Sequence, residues 1–134
     1  MNEPDKHWCL AELHLRSGVV SFYDTLGLVH GNGARWWRTL KRILPKQLTM
    51  YLVQQGILAS KGISAEEYKI TYQCPAVPKQ ADVYGDCGVW VCIILYRLCH
   101  NQPLEVDDPL QTAVAYRERM LQYLWKHKEL INNV

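Results

Sequence analysis

The sequence predicts an α+β domain, a few antiparallel strands packed on helices. Three observations carry this. Residues 7–23 hold two alternating or β-branched and aromatic segments around a turn signal. Residues 34–55 repeat apolar side chains at helical spacing. Residues 87–99 form an apolar run followed, from Asp107, by a helix start. The 134 residues suit one domain, 1–134. Apolar residues make up 49% and charged residues 21%, a globular composition. Fifteen basic and thirteen acidic residues leave a net charge of +2, so nucleic acid and anionic membranes are not expected partners. No stretch reaches the ~18–20 apolar residues of a membrane span. The polar start MNEPDKHW lacks the apolar core of a secretory signal. Five cysteines without such a signal read as reduced thiols of a nuclear or cytoplasmic protein.

The elements follow in order. In HWCLAELHL, Trp8, Leu10, Leu13 and Leu15 partly alternate, and Arg16-Ser17-Gly18 signals a turn. Val19-Val20-Ser21-Phe22-Tyr23 then forms the second strand of a hairpin, closed by Asp24. Gly27 and Gly31-Asn32-Gly33 mark a loop. Trp36 or Trp37, Leu40, Ile43 and Leu44 line one face of a helix, with Arg35, Arg38, Arg42 and Lys46 opposite. Pro45 is expected to end that helix or open the next, which runs to Gly56. EYKITYQ (67–73) reads as a third strand, and Pro75 and Pro78 impose extended or turn geometry after it. The run 87–99 is apolar nearly all round and reads as a buried helix. Asp107-Asp108-Pro109 supplies a capping Asp and a Pro at the first helical position. The last helix carries Leu110, Val114, Met120, Leu121, Leu124 and Trp125 as an apolar stripe.

Chemistry concentrates around Gly85-Asp86-Cys87-Gly88. A cysteine that opens a helix sits where partial positive charge favours an anionic sulfur. Such a nucleophile needs a base, and the base needs an orienting group. His7 and Asp24 lie at the start of one hairpin strand and the end of the other, where an antiparallel pair brings them side by side. Gln80, seven residues before Cys87, can aim its amide at a developing oxyanion together with the Cys87 backbone N–H. Each residue also has a plain structural reading. Cysteines in apolar runs are often small core residues, a strand histidine is often structural, and an Asp at a strand end often forms a turn.

These residues resemble the ubiquitin-like-protein-specific (Ulp/SENP-type) cysteine proteases. The resemblance rests on His7-Trp8, on Val20-Ser21-Phe22-Tyr23-Asp24-Thr25-Leu26, and on Gln80 followed by Gly85-Asp86-Cys87-Gly88-Val89-Trp90-Val91-Cys92. It covers nearly the whole chain, and Leu95-Tyr96-Arg97-Leu98 with Asp107-Asp108-Pro109 is most similar to plant members, many carried by transposable elements. It implies a papain-like core that cleaves after the C-terminal Gly-Gly of SUMO or a SUMO-like protein and its conjugates, without metal or other cofactor. Cys87 is then the nucleophile, His7 the general base, Asp24 the holder of its tautomer and Gln80 an oxyanion donor. Trp8 covers the tunnel for the diglycine. Two departures stand out. The family's second tunnel tryptophan lies upstream of the histidine, where this chain has almost nothing, so the N-terminal part of the domain is expected to be missing. Many members place the glutamine one position closer to the cysteine, so the loop 81–86 is expected to bulge.

Two other readings stay open: a truncated, weakly active or inactive protease-fold remnant serving as an interaction module, and a related His–Asp–Cys enzyme that processes other tails or transfers acetyl groups. Cys87, Cys92, Cys99 and His100 lack the close pairs of a zinc site. The basic run Arg35, Arg38, Lys41, Arg42 and Lys46 reads as a solvated helix face. Cys9, two residues from His7, shares its strand face and reads as structural, with sensitivity to oxidation.

Overall fold

A computed structural model describes residues 2–3, 7–31, 33–81 and 85–128. Asn32 of the glycine loop, and residues 82–84 where the bulge is expected, lie outside the described residues. The chain runs β1 (Asn2–Glu3), β2 (His7–Trp8), β3 (Leu10–His14), β4 (Val19–Tyr23), a 3-10 turn (Leu28–His30), α1 (Arg35–Gln54), α2 (Ile57–Ser60), β5 (Thr71–Gln73), α3 (Cys87–Cys99) and α4 (Pro109–Lys126). The α+β class is as the sequence predicts.

β3 and β4 form the predicted hairpin, antiparallel from Leu10↔Tyr23 to His14↔Val19. Gly18 makes its turn possible. It sits at φ +71°, and a Cβ there would lie 2.1 Å from the Lys69 carbonyl oxygen. That close approach seats β5 beside β4, with the Thr71 N–H donating to the Gly18 carbonyl at 3.0 Å. β5 is shorter than the sequence suggests, and it pairs parallel to β4 rather than antiparallel. The physical reason lies between the two strands. A parallel neighbour needs a crossover, and α1 supplies it.

The two faces of β4 meet different helices, as a period of two requires. Val20 and Phe22 pack with Trp37, Leu40, Leu44 and Leu48 of α1. Phe22 is fully buried and meets the Trp37 ring edge-on at 4.7 Å. Tyr23 points the other way and packs with Trp90, Ile93 and Ile94 of α3. The sheet therefore lies between α1 and α3, and the loop after Tyr23 emerges at their common edge.

Three expectations change. First, Pro45 does not divide the helix; α1 is continuous from Arg35 to Gln54 with Pro45 inside. The missing proline amide would have donated to the carbonyl of Lys41, four residues back. The Tyr72 hydroxyl donates to that same oxygen at 3.2 Å, so β5 repairs the break. Second, α3 is not buried all round: Trp90, Ile93 and Ile94 face the core, while Cys92, Leu95, Tyr96 and Cys99 are exposed. Third, the stripe on α4 does not pack into this core. Ala113 is its buried contact, whereas Leu121 and Trp125 are 68% and 70% exposed. The start of α4 does follow the sequence, with the Asp108 carboxylate accepting from the Gln111 N–H at 3.0 Å.

Candidate active site

The site forms where three elements end or begin. β2 carries His7, the end of β4 delivers Asp24, and α3 opens on Cys87. β2 is held on one side by β1, with Glu3↔His7 and Asn2↔Trp8 in register. On the other side it packs against α3. Strand alternation turns His7 inward and leaves Trp8 49% exposed, so Trp8 is not a core-facing aromatic.

His7 and Asp24 are joined, but not as ends of one hairpin: the expected strand from residue 7 divides, and His7 lies on β2, paired with β1 outside the β3–β4 hairpin. The His7 Nε2 lies 2.6 Å from the Asp24 Oδ1, and both residues are buried. The carboxylate is not left to histidine alone. Its Oδ1 also accepts from the Leu26 N–H at 2.9 Å, and its Oδ2 accepts from the Val29 N–H at 3.0 Å. These amides belong to the loop that Asp24 itself begins, so one carboxylate both ties that turn and meets the imidazole. A carboxylate that already accepts from two backbone amides favours a hydrogen on the Nε2 that faces it. The other ring nitrogen, Nδ1, is buried and makes no hydrogen bond among the described residues, to Cys87 or to anything else. It is the atom able to accept a proton.

Cys87 is the first residue of the 13-residue helix α3 and is 9% exposed. The residues before it are shaped for this entry. Gly85 takes φ +99°, and Asp86 occupies the capping position without capping the helix through its side chain. Gln80 is also buried and is tied to the same loop as Asp24. Its N–H donates to the Thr25 carbonyl at 3.2 Å, and its Oε1 accepts from the Thr25 hydroxyl at 2.7 Å. Fixing the amide oxygen turns the NH2 end to the opposite side. Asp24 and Thr25, consecutive in sequence, thereby orient one candidate residue each. Thr25 was not among the sequence candidates; a hydroxyl next to the histidine's carboxylate was the available signal.

Cys9 shares the buried face and carries no disulfide; all five cysteines are thiols. Burial pushes its thiol up to about 11, and the Asp24 charge adds to this. It is a core residue at neutral pH. Tyr23, on the α3 side of the sheet, is pushed up to about 12 by burial and by donating its hydroxyl to Glu12 at 2.6 Å.

A sequence profile of the Ulp1 protease family, C-terminal catalytic domain, matches residues 1–132. No curated relative matches the sequence. Among solved structures, SUMO protease Ulp1 with its catalytic cysteine oxidised to a sulfenic acid superposes with a TM-score of 0.60 at 23% identity, over 92% of this chain and 49% of that one. The sulfonic acid form gives a TM-score of 0.57 at 24% identity, over 87% and 46%. The C-terminal Ulp1 protease domain in complex with Smt3, the yeast orthologue of SUMO, gives 0.58 at 21%, over 92% and 48%. The chain thus spans about half the length of these structures. At such identities they establish a shared fold, and the profile match over nearly the whole length establishes descent: the chain belongs to the Ulp1 protease family.

Proposed function

We propose that this chain is a cysteine peptidase acting on SUMO or a SUMO-like protein, cleaving after the C-terminal Gly-Gly. The observation that carries the reading is the buried His7–Asp24 pair, whose free ring nitrogen Nδ1 lies on a strand packed against the Cys87 helix. In the proposed course, Nδ1 takes the Cys87 proton and the sulfur attacks the glycyl carbonyl. The Cys87 backbone N–H and the Gln80 amide receive the oxyanion. His7 then protonates the leaving amine, and a thioester remains on Cys87. Water, deprotonated by His7, attacks the thioester and releases the carboxylate and the thiol. Asp24 keeps the imidazole in the tautomer this requires. Trp8, half exposed beside His7, is placed to cover a tail without side chains. SUMO as the partner is supported by the Smt3 complex of the related domain.

A second reading has its own support. No hydrogen bond joins His7 to Cys87. On that reading the domain binds without cleaving.

The test is a SUMO fusion with a fluorogenic C-terminal leaving group, run with the wild type and Cys87→Ser in parallel. Cleavage by the wild type alone establishes the nucleophile. No cleavage by either, together with no adduct of Cys87 to a SUMO C-terminal electrophile in folded protein, overturns the proposal in favour of the second reading.

A further inference from the structure

Arg117, in the middle of α4, reaches across to the two residues that precede Cys87. Its Nη1 lies 2.5 Å from the Asp86 Oδ1, and its Nη2 donates to the Gly85 carbonyl at 3.0 Å. One guanidinium therefore grips two consecutive residues at the mouth of α3, the fork geometry that suits arginine and not lysine. The Asp86 carboxylate is 8% exposed, and the arginine is 44% exposed.

Asp86 stands at the capping position of α3, where an aspartate ordinarily turns its carboxylate onto the first helical amides. Here it does not: its backbone is helical (φ −90°, ψ −17°) instead of extended, and its carboxylate pairs with Arg117. The amides it would otherwise occupy belong to the first turn, which opens with Cys87 itself. By cap geometry those amides are the Gly88 and Val89 N–H groups, whose partial positive charge the proposed anionic sulfur needs uncompensated.

We infer that Arg117 is a positioning residue for the Cys87 helix N-terminus: it holds Asp86 off the first-turn amides and pins the Gly85 peptide, so that the field of those amides stays available to the sulfur. The inference rests on Cys87 being the nucleophile. Without Arg117, Asp86 relaxes into the ordinary cap. A negative charge then sits beside the sulfur, and a first-turn N–H is consumed.

The mechanism predicts a suppressor. Arg117→Met lowers kcat roughly 10–100-fold, because a carboxylate brought beside the sulfur disfavours its anion, with KM for the SUMO substrate within about twofold. Adding Asp86→Asn to Arg117→Met removes the intruding charge and restores most of the lost kcat. Arg117→Lys retains part of it, since it supplies charge without the fork. A brace that served folding alone would be harmed further, or left unchanged, by losing its second member. Alkylation of Cys87 by iodoacetamide, followed by peptide mass, runs on the same variants and needs no protease activity. It slows in Arg117→Met and recovers in the double variant. If the wild type cleaves no SUMO substrate, the peptidase reading fails while alkylation still decides this one. Arg117→Met at wild-type alkylation rate and kcat, or a double variant no faster than the single one, overturns the inference. Thermal melts confirm that each variant is folded.

Discussion

Replacing Asp24 by asparagine tests the site more sharply than removing the cysteine, because the two side chains have one shape and different hydrogen-bonding capacity. The carboxylate accepts from three N–H groups: His7 Nε2 and Leu26 on Oδ1, and Val29 on Oδ2. Asparagine has one acceptor and one donor end. With its oxygen toward Val29, its NH2 faces the Leu26 N–H and the imidazole. His7 must then accept at Nε2 and carry its hydrogen on Nδ1, which can no longer take a proton from Cys87. With the oxygen toward His7, the NH2 opposes the buried Val29 N–H, and one unsatisfied backbone donor costs about 1–3 kcal/mol. The first arrangement leaves only the Leu26 N–H without its acceptor, and Leu26 is partly exposed to water. It is therefore the better of the two, and the wrong tautomer dominates. Where this change of tautomer has been isolated in a serine protease, kcat falls by ~10⁴, and a loss of about 10³-fold or more is expected here. Steady-state cleavage of the fluorogenic SUMO substrate gives kcat and KM, and urea denaturation gives stability. A folded Asp24→Asn variant with kcat within threefold of wild type would refute the tautomer argument.

Three further outcomes follow from particular contacts. Thr25→Val removes the donor that fixes the Gln80 oxygen; with about 1–2 kcal/mol of orientation lost, kcat falls roughly 5–30-fold with little change in KM, and an unchanged kcat would remove Gln80 from the oxyanion role. Tyr72→Phe leaves the Lys41 carbonyl opposite Pro45 without its hydroxyl donor and costs about 1–2 kcal/mol in urea denaturation. In a Pro45→Ala background, where the helix regains its own amide, the same change costs markedly less; equal costs in both backgrounds would show that Tyr72 does not repair the helix. Cys9 gives a pH signature: its folded thiol is raised to about 11 from the ordinary 9. The folded form keeps its proton after the unfolded chain has lost it, so the stability this provides is intact below pH 9 and is lost as pH rises through 11. The loss, on the order of 2 kcal/mol, is absent in Cys9→Ala, and parallel alkaline melting profiles of the two proteins would contradict it.

Much of the site was legible because its signals are local. A hairpin sets its two outer ends side by side, so strand patterning and a turn containing Gly18 brought the neighbourhood of His7 to Asp24, although His7 itself stands on β2, just outside that hairpin. The helix starts at Cys87 and Asp108 are written in short-range chemistry, an apolar run after glycine and an Asp-Pro step. What the sequence concealed depends on partners distant along the chain. The apolar stripe of α4 and the outer face of α3 look like core in one dimension, yet they face solvent over much of their length.

By itself, then, the sequence determined the α+β class, the hairpin, the helix beginning at Cys87 and the order of the candidate residues. Each of these follows from periodicity, capping and turn chemistry within a few residues. Tertiary structure alone decided three matters. β5 lies parallel to β4, because α1 intervenes to carry the chain back. α1 continues through Pro45, because a tyrosine 27 positions further on donates to the carbonyl that the proline cannot reach. Asp86 pairs with Arg117 of α4 instead of capping α3, and the same guanidinium donates to the Gly85 carbonyl, a contact no sequence spacing encodes. In each case a backbone or carboxylate group must find a hydrogen-bond partner, and only the fold determines which distant group stands within 3 Å or so of it.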